Sequence, residues 1–144
     1  MADRRPNDGF RQQPAKGRKQ GCMSHTILIV DDNALLRRLL RTCLEQDGEW
    51  RVCGEAENGK EAVEKVQELK PDVVLLDLLM PVMNGLEAAR RIKVLAPDTA
   101  MLMFTMYSSP QLLQQAQAAG IRDVVSKTDQ LVDCLLPVLR QTCA

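Results

Sequence analysis

Two short runs, Ile27-Leu28-Ile29-Val30 and Val73-Val74-Leu75-Leu76, contain only branched aliphatic side chains, and each is followed by aspartate. A strand wetted on one face alternates apolar with polar residues. A strand that is apolar throughout has both faces covered, as in a parallel sheet lying between helices. The acids therefore stand where buried strands should end: Asp31 and Asp32 after the first run, Asp77 after the second. In such sheets the C-terminal strand ends are where sites are kept. Carboxylates about 4 Å apart repel by roughly 4 kcal/mol per pair at an effective dielectric near 20, so three together require a cation or a captured proton. A divalent metal held beside a reactive aspartate is the expectation.

The 144 residues allow one domain of ordinary size. Hydrophobic residues make up 45% of the chain and aromatics only 3%, so the core must be aliphatic, which suits a helix-covered parallel sheet. Net charge is zero overall, but the first 22 residues hold six Lys or Arg against two Asp, leaving the remainder mildly acidic. That balance argues against a folded domain that binds nucleic acid through bulk charge. Residues 1–23 are too polar and too rich in Gly and Pro to form a core. They are expected to be a disordered basic tail, with a basic arm that touches an acidic partner and a functional start at Met23 as the other readings. Cys22, Cys43, Cys53, Cys134 and Cys143 show no zinc spacing and no C-x-x-C pair. They read as reduced thiols of a cytoplasmic protein, with Cys43 and Cys134 in the core. No run reaches the roughly 20 apolar residues of a membrane span, and the polar N-terminus lacks a signal-peptide core.

Residues 24–144 then alternate. After the first run, Leu35, Leu36, Leu39, Leu40, Cys43 and Leu44 form a helical stripe with Asn33 as its N-cap. Trp50 to Ala56 reads as a strand. Gly59 to Leu69 reads as a helix with Ala62, Val63, Val66 and Leu69 inward, and the third strand follows Pro71. Asn84-Gly85 opens a helix with Leu86, Ala89, Ile92 and Leu95 or Ala96 inward, closed by Pro97. Ala100 to Thr105 is the fourth strand, and Ser109-Pro110 caps a Gln-rich helix ending at Gly120. Ile121 to Ser126 is the fifth strand. Thr128 can cap a last helix whose apolar surface, from Leu131, Val132, Cys134, Leu135, Leu136, Val138 and Leu139, is wider than one stripe. That width either seals the sheet edge or meets a partner. Five strand–helix units imply an open, doubly wound sheet with right-handed crossovers. In the flavodoxin-like order 2-1-3-4-5, strands one and three flank the switch point, bringing Asp31, Asp32 and Asp77 to one crevice.

Thr105 and Lys127 end strands four and five on the same side. An ammonium and a hydroxyl are phosphate ligands, so acids, cation, hydroxyl and ammonium together describe phosphoryl transfer. An aspartate can be the nucleophile, and Asp77 stands alone on its strand while Asp31 and Asp32 act as a pair. With the acidic pair in Val30-Asp31-Asp32, the segment Asp77-Leu78-Leu79-Met80-Pro81-Val82-Met83-Asn84-Gly85, the strand end Phe104-Thr105 and Lys127 after Val124-Val125-Ser126, the chain resembles a bacterial response-regulator receiver domain. The resemblance implies that Asp77 is the phosphoacceptor. It further implies that Asp31, Asp32, Asp77 and the backbone carbonyl of Leu79 hold Mg²⁺, and that Lys127 and Thr105 hold the attached phosphate. The donor it implies is a sensor histidine kinase. Its output would pass through helix four, strand five and helix five to a downstream protein or a second copy.

Receivers usually carry Tyr or Phe three residues before the strand-five Lys; here that position is Val124, stiff and without a ring. Met106 could narrow access to the phosphate site, and Tyr107 beside it is not an obvious substitute for the missing ring. Thr105-Met106 with an aromatic following, and Lys127-Thr128, resemble the receivers commonly fused to helix-turn-helix domains, although no recognition helix follows and no DNA-binding domain is expected in this chain. Two other readings stand beside the signalling module. One is an adaptor that acts independently of phosphorylation. The other is a small Mg²⁺-dependent phosphohydrolase, whose usual Asp-x-Asp and cap domain are not found.

Overall fold

The computed structural model describes residues 25–106, 109–127 and 131–143. The expectations for residues 1–23, for Tyr107, for the Thr128 cap and for the side chains of Leu131, Val132 and Cys134 lie outside the described residues. Ten elements alternate along the chain: β1 (His25–Val30), α1 (Ala34–Asp47), β2 (Trp50–Ala56), α2 (Gly59–Leu69), β3 (Val73–Asp77), α3 (Gly85–Leu95), β4 (Ala100–Thr105), α4 (Pro110–Ala118), β5 (Asp123–Ser126) and α5 (Leu131–Cys143). The five strands form one parallel sheet in the order β2-β1-β3-β4-β5, the expected flavodoxin-like arrangement.

The sheet separates two aliphatic layers. On one face Ile27, Ile29, Val73, Leu75, Leu102 and Phe104 pack against Leu40 and Leu44 of α1 and Leu135 and Leu139 of α5. On the other, Leu28, Val30, Val74, Leu76, Met101 and Met103 pack against α2, α3 and α4. Successive residues of each central strand enter opposite layers, which is why those runs contain no polar residue. Asn33, Asn58, Asn84 and Ser109 cap the first four helices with side-chain oxygens that accept first-turn N–H groups.

Several sequence expectations change. Leu35 and Leu39 are 73% and 53% exposed, because Leu36, Leu40 and Leu44 face the sheet and the neighbouring i, i+4 strip is turned away from it. Cys43 is only half-buried. Leu69 and Leu95 are exposed at the ends of their helices, and Ala96 rather than Leu95 packs against the core. Ile121 is buried but precedes β5: Gly120 has φ +95° and the Ile121 N–H closes α4 on the Ala116 carbonyl, so it is not free to pair in the sheet. Pro137 lies inside α5, on its exposed side, and the helix continues past it.

Replacing Leu40 with Ala should cost about 2–5 kcal/mol in urea unfolding, whereas Leu39→Ala should stay within about 0.5 kcal/mol. Equal losses would contradict the assignment of the two strips.

Candidate functional site: an acidic pocket at the C-terminal strand ends

The parallel sheet directs its C-terminal ends to one edge of the molecule. Among the described residues, the buried polar or charged ones are Asp31, Asp77 and Thr105, and all three stand at that edge. Asp31 follows β1, Asp77 ends β3, Thr105 ends β4 and Lys127 follows β5. Carboxylate oxygens of Asp31, Asp32 and Asp77 lie within 4.8 Å of one another. Asp32 is exposed, while Asp31 is fully buried. An all-oxygen donor set with one ligand open to solvent fits a small hard cation such as Mg²⁺, which keeps part of its water shell.

Lys127 spans the pocket. Its Nζ lies 2.7 Å from Asp31 Oδ2 and 3.2 Å from Asp77 Oδ1, with the ammonium 4.7 Å from the centre of the Phe104 ring. Burial alone would lower its pKa, but the hydrogen bond and charge of Asp31, helped by Asp77, outweigh it and hold the ammonium above its ordinary range. Asp77 shifts upward: burial raises it first, the Asp31 carboxylate adds to the rise, and Lys127 and the Leu78 N–H offset only part. Three carboxylates around one resident ammonium thus leave a pocket still short of positive charge.

The loop after β3 is tightly held. Leu78 donates its N–H to Asp77 Oδ1 and its carbonyl accepts from Gly85, anchoring the chain just before Leu79. A Cβ on Gly85 would overlap the Asp77 carbonyl oxygen, and one on Gly59, at the start of α2, would overlap the Met83 carbonyl. Between them Val82 has φ +71° in a turn where the Met83 N–H donates to the Pro81 carbonyl at 2.7 Å, an unfavourable conformation for a β-branched residue. The side chains of Leu79 and Val82 after β3 and of Met106 after β4 are exposed.

The sequence and the fold both have counterparts among known proteins. The family described as response regulator receiver domain matches residues 27–135. The chain belongs to that family. The chemotaxis protein CheY of Thermotoga maritima is 39% identical over 108 residues, 75% of this chain and 89% of that protein. The response regulator domain of Thermotoga maritima CheB superposes with a TM-score of 0.78 at 32% identity, covering 83% of this chain and 96% of that one. A LuxR-family two-component response regulator from Aurantimonas also reaches a TM-score of 0.78, at 27% identity, covering 84% and 86% of the two chains. The protein is therefore a receiver domain of two-component signalling, a family in which aspartate phosphorylation and Mg²⁺ binding are general features.

Asp31, Asp32, Asp77 and Lys127 converge here, and Thr105 stands at the same edge, its carbonyl accepting from the Lys127 N–H at 2.8 Å. Two residues of the loop packing beside the site were not foreseen, Gly59 and Val82. Gly59 carried a local signal, the turn-forming Asn58-Gly59 pair; Val82 carried none, because a β-branched residue is not expected at positive φ.

In the unfolded chain Asp77 has an ordinary carboxylate pKa, so folding raises it and the native state binds the proton more tightly. Stability from this group is therefore present at low pH and lost as pH rises through the folded pKa. Asp77→Asn should stabilise the metal-free protein at pH 7, with the difference shrinking as pH falls toward the unfolded carboxylate pKa. Urea unfolding across pH checks this, and an Asn variant less stable than wild type at pH 7 would refute the charge-repulsion account. Gly85→Ala should cost on the order of 3 kcal/mol by forcing the β3–α3 loop off Asp77, measured in the same way.

Proposed function

We propose that this receiver accepts a phosphoryl group on Asp77 and signals through the state of its α4–β5–α5 face. What carries the reading is Lys127 lying between the Asp31 and Asp77 carboxylates: the nucleophile, a charge-neutralising ammonium and a cation-seeking acid pair share one pocket. Asp31, Asp32, Asp77 and the Leu79 carbonyl are the proposed Mg²⁺ ligands. The ion would neutralise charge on the phosphoryl oxygens and needs no redox or proton chemistry of its own.

Asp77 Oδ1 accepts from Leu78 and faces Lys127, so Oδ2 is the nucleophile. It forms the new bond to phosphorus as the P–N bond of a phosphohistidine breaks, its electron pair remaining on the imidazole nitrogen. Lys127 holds a phosphoryl oxygen by charge, and the Thr105 hydroxyl, at the end of the neighbouring strand, donates to another. The phosphohistidine donor is a sensor histidine kinase, and the recipient of the signal is a downstream protein or a second copy of this chain.

Val124 supports an adaptor reading as the alternative. It is half-buried and packs against the core layer under α4, in the position where receivers usually carry an aromatic ring. Differential stabilisation of about 5.5 kcal/mol would be needed to invert a 1:99 balance of two states, so the coupling must be read directly.

Incubation with acetyl phosphate and Mg²⁺ should add one labile phosphate by intact mass, lost in Asp77→Asn and strongly slowed in Lys127→Ala. Amide resonances of α4 and β5 should shift when a phosphate mimic is bound. Phosphorylation without those shifts would favour the adaptor, as would no modification under any donor. Multiple turnover of an unrelated phosphate ester would point to a hydrolase.

A further inference from the structure

Asp31 is buried beyond the last residue of β1 paired to either neighbour, since both registers stop at Val30. Each of its polar groups nevertheless has a partner. The N–H donates to the Ala56 carbonyl at 3.0 Å, Oδ1 accepts from the Asn33 N–H at 2.8 Å, and Oδ2 accepts from Lys127 at 2.7 Å. The remaining group, the backbone carbonyl, accepts from Arg37 Nη1 at 2.6 Å. That carbonyl and the Asp32 N–H belong to one rigid peptide plane, so holding one end sets the direction in which Asp32 leaves the strand.

Arg37 is itself held. Its Nε donates to Glu55 Oε1 at 2.8 Å, while Glu55 Oε2 accepts from Arg41 Nε at 2.8 Å and the Glu55 carbonyl accepts from Lys65 Nζ at 2.6 Å. A planar guanidinium bonded on two edges has little freedom to turn, which an ammonium on a flexible stem could not reproduce. Glu55 reaches this position through an irregularity in β2. The register skips Cys53 between Ile27 and Leu28, and the extra residue turns Glu55 to the α1 side of the sheet, whereas Ala56 enters the opposite layer. The Arg37 side chain is only 15% exposed. Glu55 is pushed upward by burial, but hydrogen bonds from Arg41 and Arg37 outweigh this and hold its carboxyl below the usual range. Its negative charge compensates the guanidinium close to a site that takes a cation.

We propose that Arg37, braced by Glu55, is a positioning residue for the acid pair, setting the orientation of the Asp31–Asp32 peptide and through it the affinity for a divalent cation. The proposal rests on the reading that these carboxylates bind such an ion. Most exposed ion pairs contribute little to stability; this one differs because its free edge ends on the backbone of the metal-binding turn.

The test is a titration with Mn²⁺, a spectroscopic stand-in for a hard divalent ion, followed by electron paramagnetic resonance on the full chain. It uses wild type, Arg37→Gln, Arg37→Lys, Glu55→Gln and the exposed neighbour Arg38→Gln. Arg38→Gln should match wild type, Arg37→Gln and Glu55→Gln should bind about tenfold more weakly, and Arg37→Lys should recover part of the loss. Nitrogen-15 relaxation of the metal-free proteins should show the Asp32 amide more mobile in Arg37→Gln alone of the two Gln-for-Arg variants. If Arg37→Gln does not stay folded, Glu55→Gln, which keeps both arginines, carries the comparison. Wild-type binding with no weakening in Arg37→Gln or Glu55→Gln overturns the positioning role and leaves the metal site standing. A wild type that binds no Mn²⁺ overturns the metal reading and the affinity claim together.

Discussion

The contact on which the site depends is the ammonium of Lys127 lying between two buried carboxylates, Asp31 at 2.7 Å and Asp77 at 3.2 Å. Desolvated like charges repel strongly, and a protein retains them only where something compensates. Lys127 compensates for one charge. The shortfall suits the pocket to a divalent cation, and it adds to the effect of burial, which is the main reason the Asp77 carboxyl lies above its ordinary range. The suitability of the pocket for a cation and part of the upward shift of Asp77 thus share one imbalance of charge.

Such an imbalance is tolerable because the surrounding chain cannot relax away from it. Parallel pairing fixes where each strand ends, the two aliphatic layers fix the strands, and Gly85 and Gly59 allow the β3–α3 loop to lie against Asp77 and α2 with no room for a methyl group. Val82, held at φ +71°, shows conformational constraint in the loop that follows Asp77. Strain of this kind persists where neighbouring structure over-determines the backbone, and it is commonly found next to functional groups.

Much of this was legible in one dimension. The doubly apolar strands announced a covered parallel sheet, and the acids at their ends announced the site. Lys127 and Thr105 were legible for the same reason, since a residue that follows a buried parallel strand has only one edge of the sheet to stand on. The helix faces were read less well. In α1 two leucine strips lie side by side, and periodicity alone could not say which of Leu35–Leu39 and Leu36–Leu40 meets the sheet. Adjacent strips on a helix differ by one residue of rotation, and only the packing partner chooses between them.

The sequence by itself determined the fold class and the sheet edge at which Asp31, Asp32, Asp77, Thr105 and Lys127 stand, because strand periodicity and strand ends are local properties. Tertiary structure alone decided that Lys127 spans the two acids, and that Arg37 and Glu55 support the turn between β1 and α1. The latter depends on one extra residue at Cys53, which turns Glu55 to the α1 side of the sheet. A single residue of register reverses every side chain that follows it, and nothing in a linear pattern shows where that shift is placed.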